Sequence, residues 1–200
     1  MADEFSDSIL SLTSLVEIKG SNKGKNANAT ITKDGILFDS LEEEHVYEWI
    51  LEARKLGFIS EITYQPESFV LYDGMKNKKG KFIVRPHIYT ADYKLKMTDK
   101  WKSFVNHNKI KILNDFYDKD NYLYIDVKGQ FNKFSGDREF SINHKFMLAI
   151  HNIYVWKIIP KKLFEKTWLP KNCVFTLKTK KISKKYSDYK IFENHHFIDS

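Results

Sequence analysis

The stretch from Asn121 to Gly129, NYLYIDVKG, constrains the fold of this chain more than any other. Leu123, Ile125 and Val127 alternate with Tyr124, Asp126 and Lys128, the two-residue period of a β-strand. An apolar side of this kind needs a second layer to cover it. On the opposite side an acid and a lysine stand two residues apart and project together. Gly129 follows at once and lets the chain turn away.

The flanking sequence supplies the rest of a sheet and its helices. ITKDGILFD reads as two short strands about an Asp34-Gly35 turn. SLEEEHVYEWILEARKLG predicts a helix from Ser40 that ends at Gly57. ISEITYQPESFVLYD is extended, with Pro66 marking an edge or a bulge. Asp73-Gly74 and the polar run MKNKKGK then turn into a strand near HIYTADYKLKM. Residues 97–119 are mixed in pattern and read as an insertion. After the 121–129 strand and a polar loop through Gly136, REFSINHKFMLAIHN predicts a helix and IYVWKIIP a buried strand. PKKLFEKTW predicts a short helix with Pro160 near its start, and VFTLKT a last strand. Helices and strands on one core predict an α/β fold, a central mixed β-sheet flanked by helices. The expected organisation is a flexible N-terminal segment (1–29), a core domain (30–165) and a Lys-rich C-terminal extension (166–200).

Charge is unevenly placed. The formal net charge is +7 over 200 residues. Residues 157–190 carry eleven Lys against Glu165 and Asp188, a local +9 that leaves −2 for the remainder. Such a polarised chain suits a polyanion, because each Lys that neutralises a phosphate releases a counterion; a solvated tail is the other reading. The single Cys173 excludes an internal disulfide and a Cys-cluster zinc site, and fits a reducing compartment. No apolar run nears the roughly 20 residues of a membrane span, and MADEFSDSIL is acidic where a signal peptide is basic. A soluble cytoplasmic protein is expected. The seven His show no pair at metal-ligand spacing joined to a third ligand, and His195-His196 reads as tail. Neither GxxxxGK[ST] nor GxGxxG occurs, which argues against nucleotide-driven chemistry.

Asp126, Lys128 and Asp92 hold the chemistry. Phosphodiester hydrolysis needs a metal to polarise the phosphoryl oxygen and acidify a water, and a cation near the developing charge. Mg²⁺ takes carboxylate, carbonyl and water oxygens. Asp126 and the Val127 carbonyl offer such oxygens, and Lys128 the charge; a surface ion pair is the alternative. Asp92 lies in YTADYKL, where an unpaired buried acid is costly; it reads as a second carboxylate from the neighbouring strand or as a strand-end turn. Ser40-x-x-Glu43 is a capping box. Yet Glu43 shares the core-facing stripe of Val46, Tyr47 and Ile50, while Glu44, Glu48 and Glu52 fall towards the wet side. Glu43 is open to both roles, cap and site carboxylate.

Phe38-Asp39-Ser40-x-x-Glu43, Gln65-Pro66, Tyr89-x-x-Asp92-Tyr93 and Asp126-Val127-Lys128-Gly129 follow in this order. With them, residues 31–160 resemble the PD-(D/E)XK nuclease superfamily, most closely a phage-encoded branch of small endonucleases akin to Holliday-junction resolvases. The resemblance implies a restriction-endonuclease-like core. It implies that Asp92 and Asp126 bind metal with Glu43, that Lys128 positions or activates water, and that Gln65 lines the pocket. Lys145 fits the basic residues expected on the following helix, with Arg138 and His144 as further candidates. Ala91 stands where the superfamily has Pro, and Asn143 where a Lys is expected. The activity implied is Mg²⁺- or Mn²⁺-dependent cleavage of duplex or branched DNA in phage-type replication, recombination or processing, by a homodimer in the host cytoplasm. Lys178, Lys180, Lys181, Lys184 and Lys185 would add non-specific grip. The alternatives are an RNA-processing nuclease with the same site, and a catalytically silent nuclease-fold module that binds nucleic acid or protein in a larger assembly.

Overall fold

A strand that is buried on both faces needs a layer on each, and the chain supplies them. The computed structural model describes residues 16–18, 30–31, 36–111, 117–118, 120–129, 136–174 and 184. In chain order the strands are β1 (Val16–Ile18), β2 (Thr30–Ile31), β3 (Leu37–Phe38), β4 (Ile59–Tyr64), β5 (Phe69–Tyr72), β6 (Met75–Lys76), β7 (Phe82–Val84), β8 (His87–Tyr89), β9 (Tyr93–Met97), β10 (Tyr122–Val127) and β11 (Val155–Ile158). The helices are α1 (Leu41–Lys55), α2 (Asp99–His107), α3 (Gly136–His151) and α4 (Pro160–Lys166), followed by a 3-10 turn at Lys171–Cys173. The central sheet has the order β1-β4-β9-β10-β11. β1 runs parallel to β4 and β10 parallel to β11, while β4–β9 and β9–β10 are antiparallel. The fold is α/β with a mixed central sheet and flanking helices, as the sequence predicts. No helix among the described residues is long and apolar enough to cross a membrane.

The alternation in β10 divides the interior in two. Leu123, Ile125 and Val127 join the main core with residues of α1, α2 and α4. Tyr124 joins a smaller core with Tyr89, Ala91, Val155 and Met147 of α3. α1 begins where Ser40 Oγ accepts the Glu43 N–H at 3.2 Å, with three acids in the first turn and Arg54 and Lys55 in the last. It ends in a Schellman motif: Gly57, at φ +75°, donates to Arg54 O, and Phe58 donates to Ala53 O. β5 to β8 form one bent hairpin, β5 pairing with β8 and β6 with β7. At its bend Gly74 has φ +82°, and a Cβ there would meet Val84 O at 2.6 Å, so the bend requires glycine.

Several expectations change. Within the segment 1–29, Val16–Ile18 adds the outer strand of the sheet, so that stretch is no flexible leader; the remainder of the segment lies outside the described residues. The Asp34-Gly35 turn also lies outside them, though β2 and β3 pair antiparallel around it as expected. Residues 97–111 are no insertion: Thr98 caps α2, which buries Trp101 and Val105 in the main core; residues 112–116 and 119 lie outside the described residues. HIYTADYKLKM breaks into β8 and β9 at Thr90–Asp92. The side of α1 expected to be wet is covered. Glu44 is buried, Glu48 accepts from Asn172 Nδ2, and Glu52 accepts from Trp168 Nε1 and Lys171 N. The core therefore runs past residue 165, through Trp168, Leu169 and Cys173. VFTLKT, beyond its first residue, lies outside the described residues.

Trp168 is 1% exposed and stacks on Trp49 with ring centroids 5.0 Å apart. Trp168→Ala should lower the unfolding free energy by about 3–5 kcal/mol, seen in urea titrations as a lower midpoint at unchanged slope. A loss under about 1 kcal/mol would show that this segment only decorates the core.

Candidate active site

β9 and β10 are antiparallel, so the start of one lies beside the end of the other. Ile125 pairs with Tyr93, and the next step along the ladder sets Asp92 against Asp126. Asp92 N–H donates to Ile125 O at 2.9 Å, and Asp92 Oδ2 accepts the Val127 N–H at 2.6 Å. This second bond ties the first acid to the strand that carries the other. Lys128, one residue beyond β10, has its N–H on Ile158 O at 2.8 Å. Its Nζ lies 2.8 Å from Asp126 Oδ2, an ion pair whose angles fall outside hydrogen-bond geometry.

Asp92, Asp126, Lys128 and Glu43 open onto one cavity of about 340 Å³. β8 lends Tyr89 to its wall, and α3 lends Glu139, Phe140 and Asn143. Asp126 Oδ2 is met by the Lys128 ammonium, while Tyr89 Oη and Asn143 Oδ1, also buried along this wall, meet no hydrogen-bond geometry among the described residues. Unpaired buried polar atoms are uncommon and costly; two on the wall of one cavity suit a polar ligand or water there.

Burial and mutual repulsion set the charge states. Asp92 is pushed well above the usual carboxylate range by desolvation, then by the charges of Asp126 and Glu43, against the pull of Lys128 and the Val127 N–H. Burial also raises Asp126, with Lys128 opposing. Burial depresses Lys128, but Asp126, then Asp92 and Glu43, outweigh it and leave the ammonium firmly protonated. Burial, then the Asp126 and Asp92 charges, keep the Tyr89 hydroxyl neutral.

Glu43 serves as a cap while facing the cavity. Its Oε1 accepts from Ser40 Oγ at 3.0 Å, and its Oε2 from Asp39 N and Tyr64 Oη. Its carbonyl accepts from Tyr93 Oη at 2.8 Å, which docks the start of α1 on the sheet beside Asp92. Gln65 does not line the cavity. Its Nε2 donates to Tyr64 Oη, behind Glu43, and its N–H donates to Asp92 O at 2.8 Å. It does so at φ +44°, a conformation non-glycine residues hold only under constraint. Gln65 positions the acids from behind.

The basic candidates lie elsewhere. Glu139, Phe140 and Asn143 turn α3's cavity side inward, leaving Arg138 and Lys145 exposed on other sides of the helix. His144 bonds Val155 O and packs between Phe140 and Tyr154, a structural role. Lys184 is exposed; Lys178, Lys180, Lys181 and Lys185 lie outside the described residues. Sequence reasoning missed Tyr89 and Asn143 as site residues. Asn143 carried a signal, a polar residue on the stripe of Phe140 and Met147.

Oxygen donors of this kind suit a hard cation such as Mg²⁺, and the carboxylates of Asp92 and Asp126 are of the right chemistry to hold one. Among the described residues no three His, Cys, Asp or Glu side chains converge on one metal position. Mg²⁺, however, commonly binds through one or two carboxylates and keeps several waters, so Asp92 and Asp126 suffice without Glu43.

Residues 23–110 match the model of a family described as a protein of unknown function, DUF1064. That stretch includes Glu43, Gln65 and Asp92 and stops short of Asp126 and Lys128. No curated protein and no solved structure matches the chain.

The raised carboxyls make a prediction with a definite sign. Between the ordinary carboxylate value and the raised one, the native state holds more protons than the unfolded chain, so stability falls as pH rises through that window. At neutral pH Asp92→Asn should raise Tm, by about 2–8 °C if 1–2 kcal/mol of repulsion is relieved. The gain should shrink as pH falls towards the ordinary Asp value of about 3.9 and vanish below about pH 3, where the pair is protonated in both states. Millimolar Mg²⁺ or Mn²⁺ should raise the Tm of the parent chain and not of the variant. Thermal scans across pH and metal check all three.

Proposed function

We propose that this chain is a metal-dependent endonuclease that hydrolyses phosphodiester bonds in DNA, with Asp92, Asp126 and Lys128 at its centre. One observation carries the reading: a buried Asp126 carboxylate 2.8 Å from the Lys128 ammonium and across from a second acid, in a cavity at the end of the sheet. This is the arrangement that the resemblance to the PD-(D/E)XK superfamily implies. Asp92 and Asp126 would hold Mg²⁺ or Mn²⁺. When bound, the ion polarises the phosphoryl oxygen and acidifies a coordinated water.

The chain's own groups do the remaining work. Lys128 orients the attacking water or offsets charge on the phosphoryl oxygens. Tyr89 Oη offers a donor to phosphate or water in the cavity, and Asn143 Oδ1 an acceptor to water. Glu43, fixed by its cap bonds, adds negative charge behind Asp92 and so favours cation binding. Gln65 holds the main chain of Asp92. Action in the reducing cytoplasm fits the lone, buried Cys173.

A second reading has one observation in its favour: both Glu43 oxygens are taken by the helix cap. On that reading the chain is a nuclease-fold module that binds nucleic acid without cutting it.

Cleavage of plasmid, branched DNA and matched RNA in Mg²⁺ or Mn²⁺ separates the readings. Asp126→Ala and Lys128→Ala should each reduce DNA cleavage by about 10²-fold or more, with unchanged circular dichroism. Metal-independent binding with no cleavage of any substrate would favour the silent module, and preference for RNA would move the substrate class.

A further inference from the structure

The hairpin from β5 to β8 leaves the body of the protein. Every residue from Met75 to Pro86 is exposed, so neither face of its outer half packs on anything. An isolated two-stranded hairpin is marginal in water, yet this one is well bonded at its tip. Asn77 Oδ1 accepts the N–H groups of Lys79 and Lys81, Asn77 N–H donates to Lys81 O, and Gly80 N–H donates to Asn77 O. The tip is therefore a shaped presentation of side chains.

Those side chains are basic and apolar. Lys76, Lys78, Lys79, Lys81 and Arg85 give the twelve residues from Met75 to Pro86 a charge of +5 with no acid among them. Among the described residues none of the five is in an ion pair. Between them Phe82, Ile83 and Val84 are exposed, Ile83 to 65%, and Lys76 Nζ lies 4.6 Å from the Phe82 ring centre. A hairpin that served only as a turn would not need five uncompensated cations and an apolar strip in water.

The base of the hairpin is the wall of the cavity. His87, Ile88 and Tyr89 of β8 line the same space as Asp92 and Asp126. A polymer seated there would meet the arm at its base. About five residues a side at roughly 3.3 Å each give the outer arm a reach of order 15 Å, and a two-stranded ribbon fits the major groove of B-DNA, about 12 Å wide. We infer that the β5–β8 arm is a duplex-gripping element that lies in a groove beside the cavity, with its cations on the backbone phosphates. This rests on the proposed DNA reading for the substrate, not for the cleavage step. It adds a grip on the hairpin to those that the sequence suggests in the C-terminal lysines and α3.

The test is binding by the full chain, in EDTA so that nothing is cut, to a fluorescein-labelled duplex over a range of salt. Lys78, Lys79 and Lys81 changed together to Gln should weaken binding at least tenfold at low salt. The slope of log K against log salt should fall by about 2–3, since each phosphate contact contributes roughly 0.9. Arg at the same three positions should keep both. These side chains are exposed, so an unchanged Tm confirms that the fold is intact. Unchanged affinity and slope in the Gln variant overturns the proposal. A shift from dimer to monomer in sedimentation with duplex binding unchanged overturns it too, and assigns the arm to contact between copies. Parent protein that binds duplex through the arm but cuts nothing in Mg²⁺ or Mn²⁺ removes the cleavage reading and leaves this one standing.

Discussion

The bond from Val127 N–H to Asp92 Oδ2, 2.6 Å long, joins the two halves of the site. Asp92 lies in the break before β9, and beside the main-chain bond from its own N–H to Ile125 O this is the bond that fixes its carboxylate to β10. Through this bond an acid from one strand is held against an acid from the next. The pair is unfavourable in itself, since both carboxyls are desolvated and repel one another. It persists because the strands beneath it are fixed by a large aromatic core, where Trp49 contacts both Trp101 and Trp168. Packing in one layer sustains strain at the edge of another.

Glu43 shows how one residue joins that core to the site. Its two oxygens finish a helix start, its carbonyl receives the Tyr93 hydroxyl, and its charge is felt by Asp92. Tyr64 and Gln65 form a short relay to it, and Gln65 returns to the Asp92 carbonyl. The left-handed backbone at Gln65 belongs to this closed circuit. Cap and site are not rival roles for Glu43; the cap sets where its charge stands.

The parts of this arrangement legible in sequence are those governed by local periodicity. Asp126 and Lys128 share a face because a strand repeats every two residues, and α1 starts at Ser40 because its cap is local. The failures share a different cause. A helical wheel separates the faces of α1, but it cannot say that Trp168, Lys171 and Asn172 return to cover Glu52 and Glu48. The break between β8 and β9 is invisible in HIYTADYKLKM because its hydrogen bonds go to β10, distant in the chain. α2 was hidden by its Lys and Asn content, although Thr98 is an ordinary cap. Asn143 was readable as a polar residue on an apolar stripe; what it faced was not.

Lys128 owes its main-chain position to Ile158, on the edge strand roughly thirty residues later. At about 5–20 residues per second of synthesis, both acids leave the ribosome's decoding centre seconds before the strand that anchors the lysine exists. A growing chain thus holds both acids before the strand that anchors the main chain of Lys128 exists, and that anchor forms only once β11 joins the sheet. The geometry of the trio is complete only when the sheet's far edge is.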